Sequence, residues 1–132
     1  MATKLISRGY FVDGPEDQGC DMMVCGLRVD VKSSIPQYPT SPAVINPQYG
    51  FAMGNARKRR KCDLFIMWMR DLDILFFVPQ EVVTTNKMRI VYPNSGYRVS
   101  KYAQYEERWD ILDQMIADKN NQPGRAGKPV RG

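Results

Sequence analysis

The chain has 132 residues, 43% hydrophobic and 25% charged, proportions that suit one globular domain with a modest core. It contains no histidine, which removes histidine general bases, Ser/His and Cys/His triads and most zinc sites. The net charge of +5 is unevenly spread and favours a polyanionic partner, because each phosphate contact releases condensed counterions.

Three cysteines, Cys20, Cys25 and Cys62, make an odd count that argues against a disulfide framework. A zinc site built from all three would need a carboxylate as fourth ligand, and Cys-x4-Cys is not a zinc-knuckle spacing. No apolar run approaches the ~20 residues of a membrane span. The N-terminus MATKLISRGYF lacks the apolar core and cleavage site of a signal peptide, so a cytoplasmic protein with no membrane partner is the expectation.

In chain order, KLISR (4–8) predicts a short helix stopped by Gly9, and GYFVD (9–13) predicts a strand. CDMMVCG and LRVDVKSS follow as two strands joined by a tight turn near Gly26. The proline-rich stretch from Ile35 to Gly50 predicts a long loop. In it Gln37, Tyr38 and Tyr49 are candidates to enter a groove, with no base-reading pattern among them. YGFAM is a short strand candidate, followed by five consecutive basic residues, Arg57, Lys58, Arg59, Arg60 and Lys61. DLFIMWM is apolar almost throughout, as a strand buried on both faces would be. Arg70 to Asp73 make a turn, ILFFVP returns, and MRIVYP gives a further strand at a sheet edge, ended by Pro93. From Lys101 to Asp118, Tyr102, Tyr105, Trp109, Leu112 and Ile116 recur at helical spacing, with Ser100 placed to cap one long helix. Residues 119–132 read as a flexible basic tail, leaving 1–118 as the folded domain.

One pair of strands carries candidate chemistry. Strand alternation places Val29 and Val31 on one face and Arg28, Asp30 and Lys32 on the other. If the hairpin turns at Gly26-Leu27, Asp21 lies opposite Lys32; one residue tighter, it lies opposite Val31. Either register brings Asp21 to within about one residue of the Asp30/Lys32 pair, directly opposed Cβ atoms lying about 5 Å apart. Two carboxylates and an ammonium suit metal-dependent phosphodiester cleavage. Magnesium needs few carboxylates because it keeps several waters, the Val31 carbonyl is a further ligand candidate, and lysine stabilises phosphoryl charge. The competing reading is an exposed hairpin face with an ion pair of ~0–1 kcal/mol. Arg57 to Lys61, Lys87 and Arg89 are candidates for phosphate contacts, or plain solvated surface.

The order of these parts resembles the PD-(D/E)XK, or restriction-endonuclease-like, nuclease superfamily. There an acid on one strand precedes acid-x-lysine on the next, as Asp21 precedes Asp30-Val31-Lys32 here. KCDLFIMWMRDLDILFFVPQEVV, MRIVYP and KYAQYEERWDIL resemble the branch that includes group I intron-encoded homing endonucleases and related phage and bacterial proteins. The resemblance covers residues 8 to 113. It implies an α/β fold with a mixed central sheet of five or six strands flanked by helices, and a long C-terminal helix. It implies a prokaryotic or phage-encoded endonuclease that hydrolyses double-stranded DNA with Mg2+ or Mn2+. The metal ligands would be Asp21, Asp30 and Val31, and the lysine would be Lys32. Ser33 and Ser34 occupy positions where relatives place a group near the metal water. Symmetric cutting needs two active sites, so a homodimer or homotetramer is expected. Asp30 stands where glutamate is commoner, and the segment before Gly9 carries no acid. Two alternatives therefore stay open: a catalytically inactive nucleic-acid-binding relative, and a junction resolvase or repair nuclease.

Overall fold

The structure is a computed structural model that describes residues 1–14, 19–37, 47–92 and 101–121. The elements run α1 (Ala2–Ser7), β1 (Val12–Asp13), β2 (Met22–Val24), β3 (Leu27–Ser34), β4 (Gln48–Ala52), α2 (Ala56–Arg59), β5 (Leu64–Met69), β6 (Ile74–Pro79), β7 (Lys87–Val91) and α3 (Trp109–Asn120). Five strands form one mixed sheet in the order β1-β2-β3-β5-β6, and β4 and β7 form a separate two-stranded antiparallel ribbon. This is the expected mixed α/β architecture, with one refinement: β7 pairs with β4, outside the main sheet.

The sheet is buried on both faces, and the apolar run of β5 is the reason. Leu64 and Ile66 point to one face, where Leu5, Val29, Phe77 and Leu112 meet beneath α1 and α3. Phe65, Met67 and Met69 point to the other, where Tyr49, Phe51, Met88 and Ile90 of the ribbon cover them. The molecule therefore has three layers: helices, sheet, ribbon. Burial of a leucine-sized side chain contributes about 1.5–3 kcal/mol, so β5 anchors both cores at once. β3 and β5 pair in parallel, Val29 beside Leu64 through Ser34 beside Met69.

Gly9 has φ +97 and ends α1 as expected. The β2–β3 register differs from both expected ones. Met22 pairs with Val29 and Val24 with Leu27, leaving Cys25-Gly26 as the two-residue turn. Both turn residues have positive φ, 49 for Cys25 and 86 for Gly26, which suits the twist of a tight hairpin. A non-glycine residue at the first turn position is what hides this register from sequence reasoning. Extending the observed register one step puts Asp21 beside Asp30.

The expected long helix from Lys101 is broken in two. A short 3-10 turn, Ala103–Tyr105, precedes α3, and Glu107 between them has φ +51. The break is held by the sheet edge. Glu107 N–H donates to the Leu75 carbonyl at 2.7 Å, and Leu75 N–H donates to Glu107 Oε2 at 2.7 Å. Tyr102 and Tyr105 thus join the ribbon-side core, while Trp109, Leu112 and Ile116 join the helix-side core. Trp109 packs on Phe77 at 4.6 Å, under the Arg8 guanidinium at 3.7 Å, which ties the N-terminus to α3.

α3 also passes the expected boundary at residue 118. It ends at Asn120, and Lys119 forms an ion pair with Asp63 at 2.9 Å. The remainder of the expected tail, Tyr38, Pro93 and the Ser100 cap lie outside the described residues. Among the described residues no helix is long and apolar enough to cross a membrane.

Candidate active site

The face of β3 that carries Arg28, Asp30 and Lys32 does not meet open water. It turns toward the ribbon, and near the start of β5 the ribbon and sheet diverge into a crevice of about 440 Å³. Asp30 and Lys32 form one wall. Gly54, Lys58, Arg59, Lys61 and Cys62 form much of the other. The Asp30 side chain is only 14% exposed, too buried for an ordinary solvated hairpin charge.

Asp21 is fixed to β3 by backbone geometry. Its N–H donates to the Val29 carbonyl at 3.1 Å, and Val31 N–H donates to Asp21 Oδ2 at 2.8 Å. In a strand a residue's N–H and carbonyl point to the same edge, so the Val31 carbonyl also faces the Asp21 side. Lys32 Nζ sits 3.0 Å from Asp30 Oδ2. The tighter register therefore brings the two carboxylates closer than either expected register did.

Burial raises the Asp30 pKa above the usual carboxylate range. Lys32 works against that shift, and a hydrogen bond and charge from Asp21 add to it. The negative charge of Asp21 beside Asp30 therefore disfavours ionisation of Asp30, as burial does. A divalent cation would offset both penalties, and the all-oxygen donor set of Asp21, Asp30 and the Val31 carbonyl suits a hard ion. Among the described residues no group of three or more His, Cys, Asp or Glu side chains gathers to hold a metal. This carboxylate pair must then rely on backbone and water for the remaining positions. A three-cysteine zinc site is not formed: Cys25 packs on the helix-side core, while Cys20 and Cys62 lie in the ribbon-side core.

Cys62 lines the crevice but is not a nucleophile. Burial, with the Asp30 charge next, pushes its thiol up to about 12, and its Sγ donates to the Gly19 carbonyl at 3.1 Å. Asp63, next in sequence, is held down to about 2. Burial opposes that value, and hydrogen bonds from Arg28 and Lys119 overcome it. Arg28 forks onto Asp63 through Nε at 3.2 Å and Nη2 at 2.8 Å, and Arg28 N–H adds a third bond at 2.9 Å. Asp63 is thus a structural bridge from β3 to α3.

The five-residue basic run divides by helical phase. The Asn55 side chain caps α2 by accepting from Lys58 N–H at 2.9 Å. Lys58 and Lys61 line the crevice and are exposed. Arg57 and Arg60 are exposed outside it. Arg59 is 6% exposed, which corrects its expected role as a free phosphate contact. Its Nη1 donates to the Gly54 carbonyl and to Asn86 Oδ1 at 3.0 Å, clipping α2 to the segment before β7.

Other expected site residues move away. Ser33 alternates to the face opposite Lys32, so it leaves the site. Ser34 shares the Lys32 face, but its hydroxyl donates to the Ile35 carbonyl at 3.2 Å, and it does not line the crevice. Tyr49 is a 1% exposed core residue, with its hydroxyl donating to Asp71 Oδ2 at 3.0 Å. Gln37 is exposed and bridges to Gln48 by two backbone bonds of 2.8 Å. Lys87 and Arg89 stand exposed on the outer face of β7. The sequence reading does not single out Gly54, whose φ of +81 shapes the crevice wall. The available signal is its position just before the Asn55 cap.

Scans against protein-family models and a search of curated proteins give no match. Among solved structures the chain is similar to a bacterial homing endonuclease, I-Ssp6803I. The TM-score is 0.70 at 21% sequence identity, covering 90% of this chain and 87% of that one. The likeness is one of fold, extending over nearly the whole of both chains.

Proposed function

We propose that the protein is a metal-dependent endonuclease that hydrolyses phosphodiester bonds in double-stranded DNA, with Asp21, Asp30 and Lys32 as its active site. The observation that carries this reading is a half-buried Asp30 with Lys32 at 3.0 Å in a crevice walled by further lysines, and Asp21 held alongside by the Val31 N–H. The fold shared with a homing endonuclease supports it. Asp21 and Asp30 would hold Mg2+ or Mn2+, helped by the Val31 carbonyl. Such a cation, when bound, polarises phosphoryl oxygens and lowers the pKa of water. Release of Lys32 from Asp30 leaves its ammonium free to orient the attacking water and to stabilise negative charge on the phosphoryl group. Lys58 and Lys61, exposed on the opposite wall of the crevice, hold the strand's phosphates. Two copies of the chain, as a homodimer or homotetramer, supply one site per DNA strand.

The test is cleavage of a pool of duplexes with a randomised central region, with Mg2+ or Mn2+, by the wild type, Asp30→Asn and Lys32→Ala. The wild type should cut only with a divalent ion, and each variant should lose at least about 100-fold in rate while still binding duplex. Metal-independent cutting, or cutting unchanged in both variants, would refute the assignment. Binding without cutting by the wild type would favour the inactive relative.

A further inference from the structure

The outer face of the β4–β7 ribbon has a composition that the fold does not require. Gly50 stands opposite Arg89 and Ala52 opposite Lys87, and all four are exposed. Glycine in a strand centre weakens the strand, so it usually serves a positive φ, a crowded neighbour or a close approach from outside. Here φ lies outside the left-handed region, and a Cβ at Gly50 would meet no atom within 4 Å. Only the approach from outside remains.

The surroundings indicate what approaches. Gly50 lies in an open groove of about 390 Å³ lined also by Gln37, Ala52, Lys87 and Arg89. Among the described residues neither Lys87 nor Arg89 takes part in an ion pair. Ala52 lines both this groove and the Asp30/Lys32 crevice, so the two surfaces are continuous. The ribbon is also rigid, since Tyr49, Phe51, Met88 and Ile90 anchor its inner face in the core.

We infer that this ribbon is the base-reading element, lying in the major groove of duplex DNA beside the cleavage crevice. A major groove about 12 Å wide admits a two-stranded ribbon. Gly50 and Ala52 let the backbone approach the base edges. Arg89, Lys87 and Gln37 then reach them, arginine donating to guanine and glutamine both donating to and accepting from adenine. The face carries two cations and no acid, which complements the phosphates flanking the groove. The inference rests on the reading of the protein as a DNA endonuclease.

The experiment uses the full chain without Mg2+ or Mn2+, and a duplex pool with a randomised central region from which bound sequences are recovered. The wild type should enrich a motif. Arg89→Ala should weaken binding to the enriched duplex about 10- to 100-fold and relax at least one position, with little change on random duplex. Gly50→Val should keep the melting temperature, because valine favours exposed strands and has room, yet lose the motif. The inference is overturned if either variant keeps the wild-type motif and affinity. It is also overturned if Arg89→Ala weakens random and enriched duplexes alike, or if Gly50→Val changes only the oligomeric state. A wild type that enriches nothing overturns base reading as well. Hydrolysis of random duplex with Mg2+ is read separately, so the endonuclease assignment does not fall with it.

Discussion

Asp63→Asn should cost the protein about 2 kcal/mol of stability at neutral pH, and that loss should itself depend on pH. The Asp63 carboxyl is held at about 2 instead of 3.8. At about 1.4 kcal/mol per pH unit, that difference corresponds to about 2 kcal/mol. Solvent screening removes little of it, because the side chain is only 17% exposed. The variant keeps an oxygen that can accept from Arg28 N–H, but it leaves Arg28 and Lys119 without a counter-charge. Both can rehydrate in part, which keeps the cost below that of breaking a fully buried pair. For a domain of this size the melting temperature should fall by about 5–10 °C. The folded-state pKa is depressed, so the stabilisation is fully present above the unfolded value near 4 and is lost as pH falls toward 2. Thermal melts of both proteins should therefore differ by a constant amount from pH 5 to 8 and converge below pH 4. A gap under about 2 °C at pH 7, or one that persists unchanged below pH 3, would refute the bridge from β3 to α3.

Two further outcomes follow from the site. Asp30 has a raised pKa, so its contribution is favourable below the unfolded value and is lost as pH rises through the folded one. Asp30→Asn should then melt at or above the wild type at pH 7 in chelator, with the difference vanishing below about pH 4, and Mg2+ should raise the melting temperature of the wild type alone. A lower melting temperature for Asp30→Asn in chelator at pH 7 would contradict the cost assigned to burying the ionised carboxylate. Arg59→Ala should cost about 1–3 kcal/mol in urea denaturation, since it removes buried bonds to Gly54 and Asn86, while Arg57→Ala should stay within about 0.5 kcal/mol. Equal losses would contradict the division of the basic run.

What was legible in the sequence was whatever depends on local periodicity. The apolar run of β5 announces burial on both faces, and the observed packing shows it. Alternation along β3 places Asp30 and Lys32 on one face, and Asp21 was within reach in any plausible register. What remained hidden depends on partners distant in sequence. The Cys25-Gly26 turn needs a left-handed cysteine, a conformation no propensity favours, and it shifts the hairpin past both expected registers. The helical stripe through Tyr102 and Trp109 is real as a spacing. It is cut because Glu107 bonds the Leu75 backbone, a contact 32 residues away. The basic run gives no sign that Arg59 buries, because its partner is Asn86 on another segment. Charge counting reads five equivalent cations there, while helical phase makes one of them structural. The same limit applies to Asp30: sequence shows an exposed-looking acid, and only the ribbon over that face makes it a half-buried one.

The most direct test of the active-site assignment is anomalous diffraction from a crystal of the full chain soaked in Mn2+. The account predicts a peak shared by Asp21 and Asp30 within about 2.0–2.3 Å of their oxygens, with Lys32 displaced from Asp30. No peak there, with Lys32 still paired to Asp30, would contradict it.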